Sequence, residues 1–113
     1  MKIRYLIALI MVLFMMASCA SVPGDDRSEV WIDVRSPEEH RLTHIGGHEN
    51  IPHSDITEYI TDLVPGKDTP VYLYCRSGNR AGKAKTALEE MGYTNVFNAG
   101  GIDDVRAEMS AQN

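Results

Sequence analysis

Residues 75–80 contain the residue types that a cysteine nucleophile requires. They are Cys75, Arg76, Ser77, Gly78, Asn79 and Arg80. A β-favouring run, residues 71–74, precedes this segment, and Ala81, Ala84, Leu88 and Met91 follow it at helical spacing. The pattern predicts a strand, a loop and the start of a helix. Ligands gather at the carboxyl ends of strands in open α/β sheets, so Cys75 is predicted to be a catalytic residue.

The same setting favours the thiolate form of Cys75. A helix start carries partial positive charge, and loop amides can converge on one anion. The five residues that follow Cys75 are predicted to bind an anionic substrate, and Gly78 is expected to allow the tight curl of the backbone. Two other interpretations remain. Cys75 could be an inert buried residue, and the charges of Arg76 and Arg80 could simply be solvated.

Asp33 and Arg35 flank the predicted end of the first strand and are predicted to support the loop. In one interpretation Asp33 braces the loop, by accepting its amides or by pairing with an arginine. In the other, an Asp33–Arg35 pair sets the geometry between strand and helix. The second is favoured, since structural ion pairs are common.

His40, His44 and His48 are spaced by four residues, which raises the hypothesis of a metal site. The glycines at 46 and 47 are expected to end the helix before His48, so the three histidines need not share a face, and no cysteine or paired carboxylate completes a site. We therefore expect no metal. We also expect no organic cofactor, because a cysteine supplies the covalent chemistry itself.

The elements around these residues alternate between strands and helices. Strands are predicted at residues 30–34, 71–74 and 95–98, and a brief extended segment at residues 49–52. Ser36 is predicted to cap the first helix in a capping box with Glu39, and Leu42 and Ile45 to form its apolar side. Ser54 or Asp55 is expected to cap the second helix; Ile56, Ile60, Leu63 and Val64 lie near one of its faces. Ile102, Val105 and Met109 mark the last helix. This alternation predicts an α/β fold, a small parallel sheet flanked by helices on both faces.

The amino terminus has the features of an export signal. Lys2 and Arg4 precede an apolar run, residues 6–16, and small residues follow at 17–21. The run is shorter than the roughly 20 residues of a membrane span. We predict a signal peptide at 1–20, a tether at 21–28 and one domain at 29–113. Residues 16–19 also resemble a bacterial lipobox in which Cys19 would be lipidated, although Met16 stands where leucine is usual. The protein is therefore expected in the periplasm, or anchored to a membrane and facing the periplasm.

The net charge of the 113-residue chain is −5. Removal of a signal that contains Lys2 and Arg4 makes the mature protein still more acidic. Nucleic-acid binding requires a basic face, so nucleic acid is not expected as a partner. The oligomeric state is not predicted.

Four stretches together resemble a single-domain rhodanese, and most closely the periplasmic phage-shock-protein-E type. They are residues 31–35 (WIDVR), 44–47 (HIGG) with 50–52 (NIP), 75–80 (CRSGNR), and 91–93 (MGY) through 98–101 (NAGG). The resemblance implies a rhodanese fold and thiosulfate sulfurtransferase activity. It implies that Cys75 carries a sulfane sulfur as a persulfide, from a small anionic donor to cyanide or a thiol.

Two other functions remain open. Cysteine phosphatases and arsenate reductases on related folds also use a Cys-to-Arg loop. Their loop is one residue longer than the four residues between Cys75 and Arg80, and this loop has no aspartate to protonate a leaving group. A periplasmic persulfide carrier that hands sulfur to a protein partner would need the same loop. The sequence does not separate such a carrier from an enzyme.

Overall fold

The computed structural model describes residues 28–112. Four strands form one parallel sheet in the order β2-β1-β3-β4. They are β1 (Val30–Asp33), β2 (Glu49–Asn50), β3 (Val71–Cys75) and β4 (Val96–Gly101). The predicted parallel sheet is confirmed. The predicted signal peptide, and the predicted tether apart from Ser28, lie outside the described residues. Across the part of the chain that is described, no helix is both long and apolar enough to cross a membrane.

One helix follows each strand: α1 (Pro37–Leu42), α2 (Ile56–Leu63), α3 (Asn79–Glu90) and α4 (Ile102–Ala111). Alternate side chains of a strand point to opposite faces of the sheet. In β3, Leu73 packs in one core cluster with residues of α2 and α3, whereas Tyr74 packs in a second cluster with residues of α4. Helices therefore cover both faces, as predicted.

The capping box of α1 is confirmed. The Ser36 hydroxyl accepts a hydrogen bond of 3.2 Å from the Glu39 amide, and the Glu39 carboxylate accepts one of 3.2 Å from the Ser36 amide. The predicted apolar side of this helix is wrong for Leu42, which is 86% exposed. The backbone becomes extended at Thr43 (φ −154°). The helical spacing that would have placed Leu42 beside Ile45 therefore ends, and only Ile45 packs against the core.

Strand β4 is longer than predicted. It continues past Asn98 to Gly101, and Cys75 pairs with Gly101 after an irregularity in the register. Gly100 has a φ of +87° within this bulge, a left-handed conformation that glycine adopts without a Cβ penalty. The bulge brings the end of β4 beside the loop that follows Cys75.

Candidate active site

Cys75 is the last residue of β3, and residues 76–78 form the loop that leads into α3. Gly78 is the N-cap residue of α3 and has a φ of +99°. Side chains other than glycine rarely adopt this backbone conformation. The predicted strand, loop and helix start are therefore confirmed, together with the expected need for glycine at position 78.

The sulfur of Cys75 lies under the backbone of this loop. The Gly78 amide donates a hydrogen bond of 2.9 Å to Sγ. Burial by itself raises the pKa of the Cys75 thiol. Hydrogen bonds from the amides of Ala81, Ser77, Gly78 and Arg80 outweigh burial and hold the pKa below its ordinary value. The amide of Ala81, inside α3, was not among the predicted site groups; it contributes because α3 points its amino terminus at the sulfur.

The Cys75 side chain has no exposed surface. The two residues that follow it, Arg76 and Ser77, are exposed.

Asn98 and the glycine pair support the loop from β4. The Asn98 amide group donates to the Gly78 carbonyl (2.9 Å), and its oxygen accepts from the Gly100 amide (2.9 Å). A Cβ on Gly101 would lie 2.3 Å from the carbonyl oxygen of Arg76. Sequence reasoning did not include Asn98 in the site. The available signal was its place at the end of the strand that neighbours β3.

Arg80 is paired with a residue of α1. Its guanidinium donates to the two carboxylate oxygens of Glu39 at 2.7 and 3.1 Å. This pairing, against the opposing effect of burial, lowers the pKa of Glu39 to about 2, and Ser36 contributes in the same direction. The backbone amide of Arg80 faces the sulfur, while its side chain holds α1. Glu39 was predicted as a capping residue alone, because nothing in the sequence links it to Arg80.

Three side chains of the predicted substrate-binding loop point to solvent. Arg76, Ser77 and Asn79 are exposed. Within residues 28–112 no hydrogen bond or ion pair engages these three side chains. Their donors are therefore available to a ligand that approaches the loop from outside.

Asp33 and Arg35 form a buried pair. The Arg35 guanidinium donates to the Asp33 carboxylate at 2.7–3.1 Å and to the Thr43 carbonyl at 2.6 Å. His40 Nδ1 lies 2.9 Å from the same carboxylate. Burial raises the pKa of Asp33, but the hydrogen bonds from Arg35 and His40 prevail and lower it. Asp33 accepts no hydrogen bond from the loop amides, so the contacts correspond to the interpretation in which the pair joins strand and helix.

Two of the three histidines lie together and the third lies apart. His40 and His44 stack with their ring centroids 4.5 Å apart, while His48 stacks on Trp31 and lies 2.8 Å from the Tyr74 hydroxyl. Burial lowers the pKa of His48. No group of three His, Cys, Asp or Glu residues that could hold a metal ion occurs in the described region.

Comparison with known proteins gives a consistent picture. The sequence profile of the rhodanese-like domain matches residues 20–108. Over 78 residues the chain is 47% identical to the thiosulfate sulfurtransferase PspE of Escherichia coli K12, covering 69% of this chain and 75% of that protein. It is 32% identical over 82 residues to the thiosulfate:glutathione sulfurtransferase of Saccharomyces cerevisiae, covering 63% of this chain and 59% of that protein.

Solved structures of rhodaneses and sulfurtransferases are similar to this chain as well. A rhodanese from E. coli, determined with anions, superposes with a TM-score of 0.66 at 48% identity, covering 68% of this chain and 91% of that one. A thiosulfate sulfurtransferase from Pseudomonas aeruginosa also has a TM-score of 0.66, at 28% identity, covering 71% of this chain and 15% of that one.

Proposed function

This chain belongs to the rhodanese-like domain family and is a sulfurtransferase, and we propose that it carries sulfur from thiosulfate or a related donor as a persulfide on Cys75. The observation that carries this proposal is the cradle of backbone amides around Sγ, which lowers the pKa of the thiol. A thiolate is the nucleophilic form of cysteine. A cysteine buried without these amides would instead be neutral and inert.

In the first half-reaction the Cys75 thiolate attacks the outer sulfur of thiosulfate. The bond between the two sulfur atoms of thiosulfate breaks, and sulfite leaves with the electron pair. The outer sulfur stays on Cys75 as a persulfide. The amides of Ser77, Gly78, Arg80 and Ala81 already stabilise negative charge at this point, so they act as a preorganised anion site.

In the second half-reaction a nucleophile attacks the outer sulfur of the persulfide. With cyanide the product is thiocyanate; with a thiolate it is a persulfide of the acceptor. The bond to Sγ breaks, and its electron pair returns to Cys75 as thiolate. No external oxidant or reductant is needed, because each sulfur–sulfur bond that breaks is replaced by a bond to the incoming nucleophile.

The loop residues have different tasks in this proposal. Arg76, Ser77 and Asn79 present unpaired side chains to the donor's sulfonate group. Gly78 and Arg80 contribute backbone amides to the sulfur. Asp33 and Arg35 support the site by holding the end of β1 against the segment that follows α1.

The decisive test is the intact mass of the protein after exposure to thiosulfate and removal of excess donor. We expect one added sulfur atom on the wild-type protein and none on Cys75→Ser. The matched control is Cys19→Ser, which retains Cys75 and should gain sulfur like the wild type. Thiosulfate:cyanide activity that persists in Cys75→Ser would contradict the proposal.

We further propose that the protein is exported to the periplasm. The support is the amino-terminal order of Lys2 and Arg4, an apolar run and small residues. Intact mass of the protein purified from a bacterial host distinguishes a lipid on Cys19 from ordinary cleavage. A full-length mass, recovered from the cytoplasm, would contradict export.

A further inference from the structure

Within the part of the chain that the structure describes, one side chain from another element hydrogen bonds to the backbone of the Cys75 loop. It is Asn98 of β4, whose side-chain amide donates to the Gly78 carbonyl at 2.9 Å. The same carbonyl accepts the first hydrogen bond of α3, from the Gly82 amide at 2.9 Å. A carbonyl oxygen has two lone pairs. Both are used at Gly78, and the start of α3 is thereby joined to β4.

Asn98 is held in place by its own strand. Its side-chain oxygen accepts a hydrogen bond of 2.9 Å from the Gly100 amide. This is an Asx-turn, in which an asparagine side chain bonds to the backbone two residues on. Gly100 has a φ of +87° in the bulge of β4. The bulge thus fixes one end of the Asn98 amide group, and the other end is directed at the Gly78 carbonyl.

Gly78 lies at the centre of the amides that act on the sulfur. Its own amide donates to Sγ of Cys75 at 2.9 Å. The amides of Ser77, Arg80 and Ala81, before and after it in the chain, donate as well and lower the pKa of the thiol. A displacement of Gly78 would therefore disturb the whole group of donors.

We infer that Asn98 is a positioning residue for the sulfur chemistry of Cys75, because it anchors Gly78 so that the loop amides stay directed at the thiolate and at the persulfide. The inference rests on the proposed function, since what Asn98 affects is the reactivity of Cys75. Its hydrogen bonds reach the backbone and not the sulfur. Asparagine suits this position because it donates at one end and accepts at the other. An ionised aspartate only accepts, and it would repel the Gly78 carbonyl.

Two variants separate this role from a purely structural one. Asn98→Ala removes both hydrogen bonds of the side chain, whereas Asn98→Asp keeps its shape and loses the donor. Asn98 is exposed, so neither change leaves a cavity in the core. The rate of sulfite release from thiosulfate is measured against pH on the full-length protein in the Cys19→Ser background. Thermal denaturation reports the stability of each variant.

We expect the midpoint, the pH at which the rate is half-maximal, to increase in both variants. Displaced amides stabilise the thiolate less, so a higher pH is needed to form it. Below the wild-type midpoint the rate should fall about fivefold, the change that accompanies the loss of one hydrogen bond. Asn98→Asp should show the larger shift, because its negative charge also opposes the thiolate.

The matched control is Asn95→Asp, which adds the same charge immediately before β4. The Asn95 side chain donates to the Asp68 carbonyl at 3.3 Å, away from the loop. We therefore expect the midpoint and the rate of this variant to equal those of the wild type. A shift confined to the two aspartate variants would contradict the inference, since added charge would then be its cause.

A wild-type midpoint and rate in both Asn98 variants would overturn the inference and leave the proposed function standing. A lowered melting temperature with an unchanged midpoint would overturn it as well, because Asn98 would then serve stability alone. If the wild-type protein releases no sulfite and forms no persulfide, the proposed function fails and this inference fails with it.

Discussion

Two opposing effects act on the sulfur of Cys75. Burial favours the neutral thiol, whereas four backbone amides favour the thiolate, and the amides prevail. Because the donors are backbone groups, their identity does not depend on the side chains of the loop. The loop residues determine the path of the backbone. At Gly78 and Gly101 a Cβ would fit only if neighbouring backbone atoms moved.

The lowered pKa of Cys75 predicts a pH profile. In the Cys19→Ser variant Cys75 is the single thiol. The rate of sulfite release should increase with pH and reach a plateau. The pH at which the rate is half-maximal should lie below the pKa of an ordinary cysteine, about 8.5. The sign follows from the amides, which stabilise the charged form, so the nucleophile is lost only as the pH falls through the lowered pKa. Alkylation of the same variant unfolded in urea provides the reference midpoint. Equal midpoints in the folded and unfolded protein would contradict the role of the amides.

Gly101→Ala should impair the loop. The new Cβ would lie 2.3 Å from the Arg76 carbonyl oxygen. The Cβ is fixed by the backbone that carries it and the oxygen is a backbone atom, so neither can rotate away. Overpacking of this kind costs about 1–3 kcal/mol, so we expect persulfide formation to slow by about tenfold or more. The control is Gly46→Ala, where nothing lies within 4 Å of the new Cβ. A normal rate in Gly101→Ala would show that the loop tolerates displacement.

Among the elements, α1 has more influence on the site than its length suggests. It has six residues, none of them buried. Nevertheless Glu39 reaches Arg80 at the start of α3, and Arg106 of α4 donates to Thr43 at the end of α1. α1 therefore connects the two helices that border the loop, and it does so through polar contacts instead of core packing.

Glu39→Gln should lower stability in a pH-dependent way. The folded pKa of Glu39 is about 2, below its ordinary 4.5. Its contribution is therefore complete well above pH 4.5 and is lost as the pH falls towards 2. We expect urea denaturation at pH 7 to show a loss of about 1 kcal/mol in the free energy of unfolding, and the difference from wild type to become small as the pH falls through the folded pKa of Glu39. Glu38→Gln, an exposed neighbour in the same turn, is the control and should have no such effect. A difference independent of pH would mean that the ion pair is not its source.

On the scale of the whole molecule, the two faces of the sheet have unequal cores. The cluster on the α2 and α3 side includes Ile60, Leu73 and Leu88, and Cys75 is part of it. The cluster on the α4 side has three buried residues, Tyr74, Ile102 and Val105. Most of the hydrophobic stabilisation thus comes from the side on which the nucleophile is buried.

Leu88→Ala should destabilise the whole domain. Leu88 has no exposed surface, and truncation of a buried leucine costs about 2–5 kcal/mol. Leu42→Ala is the same chemical change at a site that is 86% exposed; it should stay within about 0.5 kcal/mol of wild type. Thermal and urea denaturation of both variants measure the difference. Similar losses in the two variants would contradict the assignment of the core.

Much of this protein follows from its sequence because the deciding interactions are short in range. The capping box joins Ser36 and Glu39 within one turn, β3 has the β-favouring pattern of a buried strand, and the Cys75 loop is a continuous segment between a strand and a helix. The alternation of elements predicted the parallel sheet, since parallel strands need a connection that crosses over.

Other features were decided only by the tertiary structure. Glu39 meets Arg80 across 41 positions of sequence, and Gly101 meets Arg76 because a bulge shifts the register of β4. Leu42 is exposed because α1 ends at that residue. The sequence shows Arg76 and Arg80 as equal charges at the two ends of a loop; packing brings a carboxylate to Arg80 and none to Arg76 among the described residues. Such contacts depend on how separate elements pack, and no local pattern of residue types encodes that.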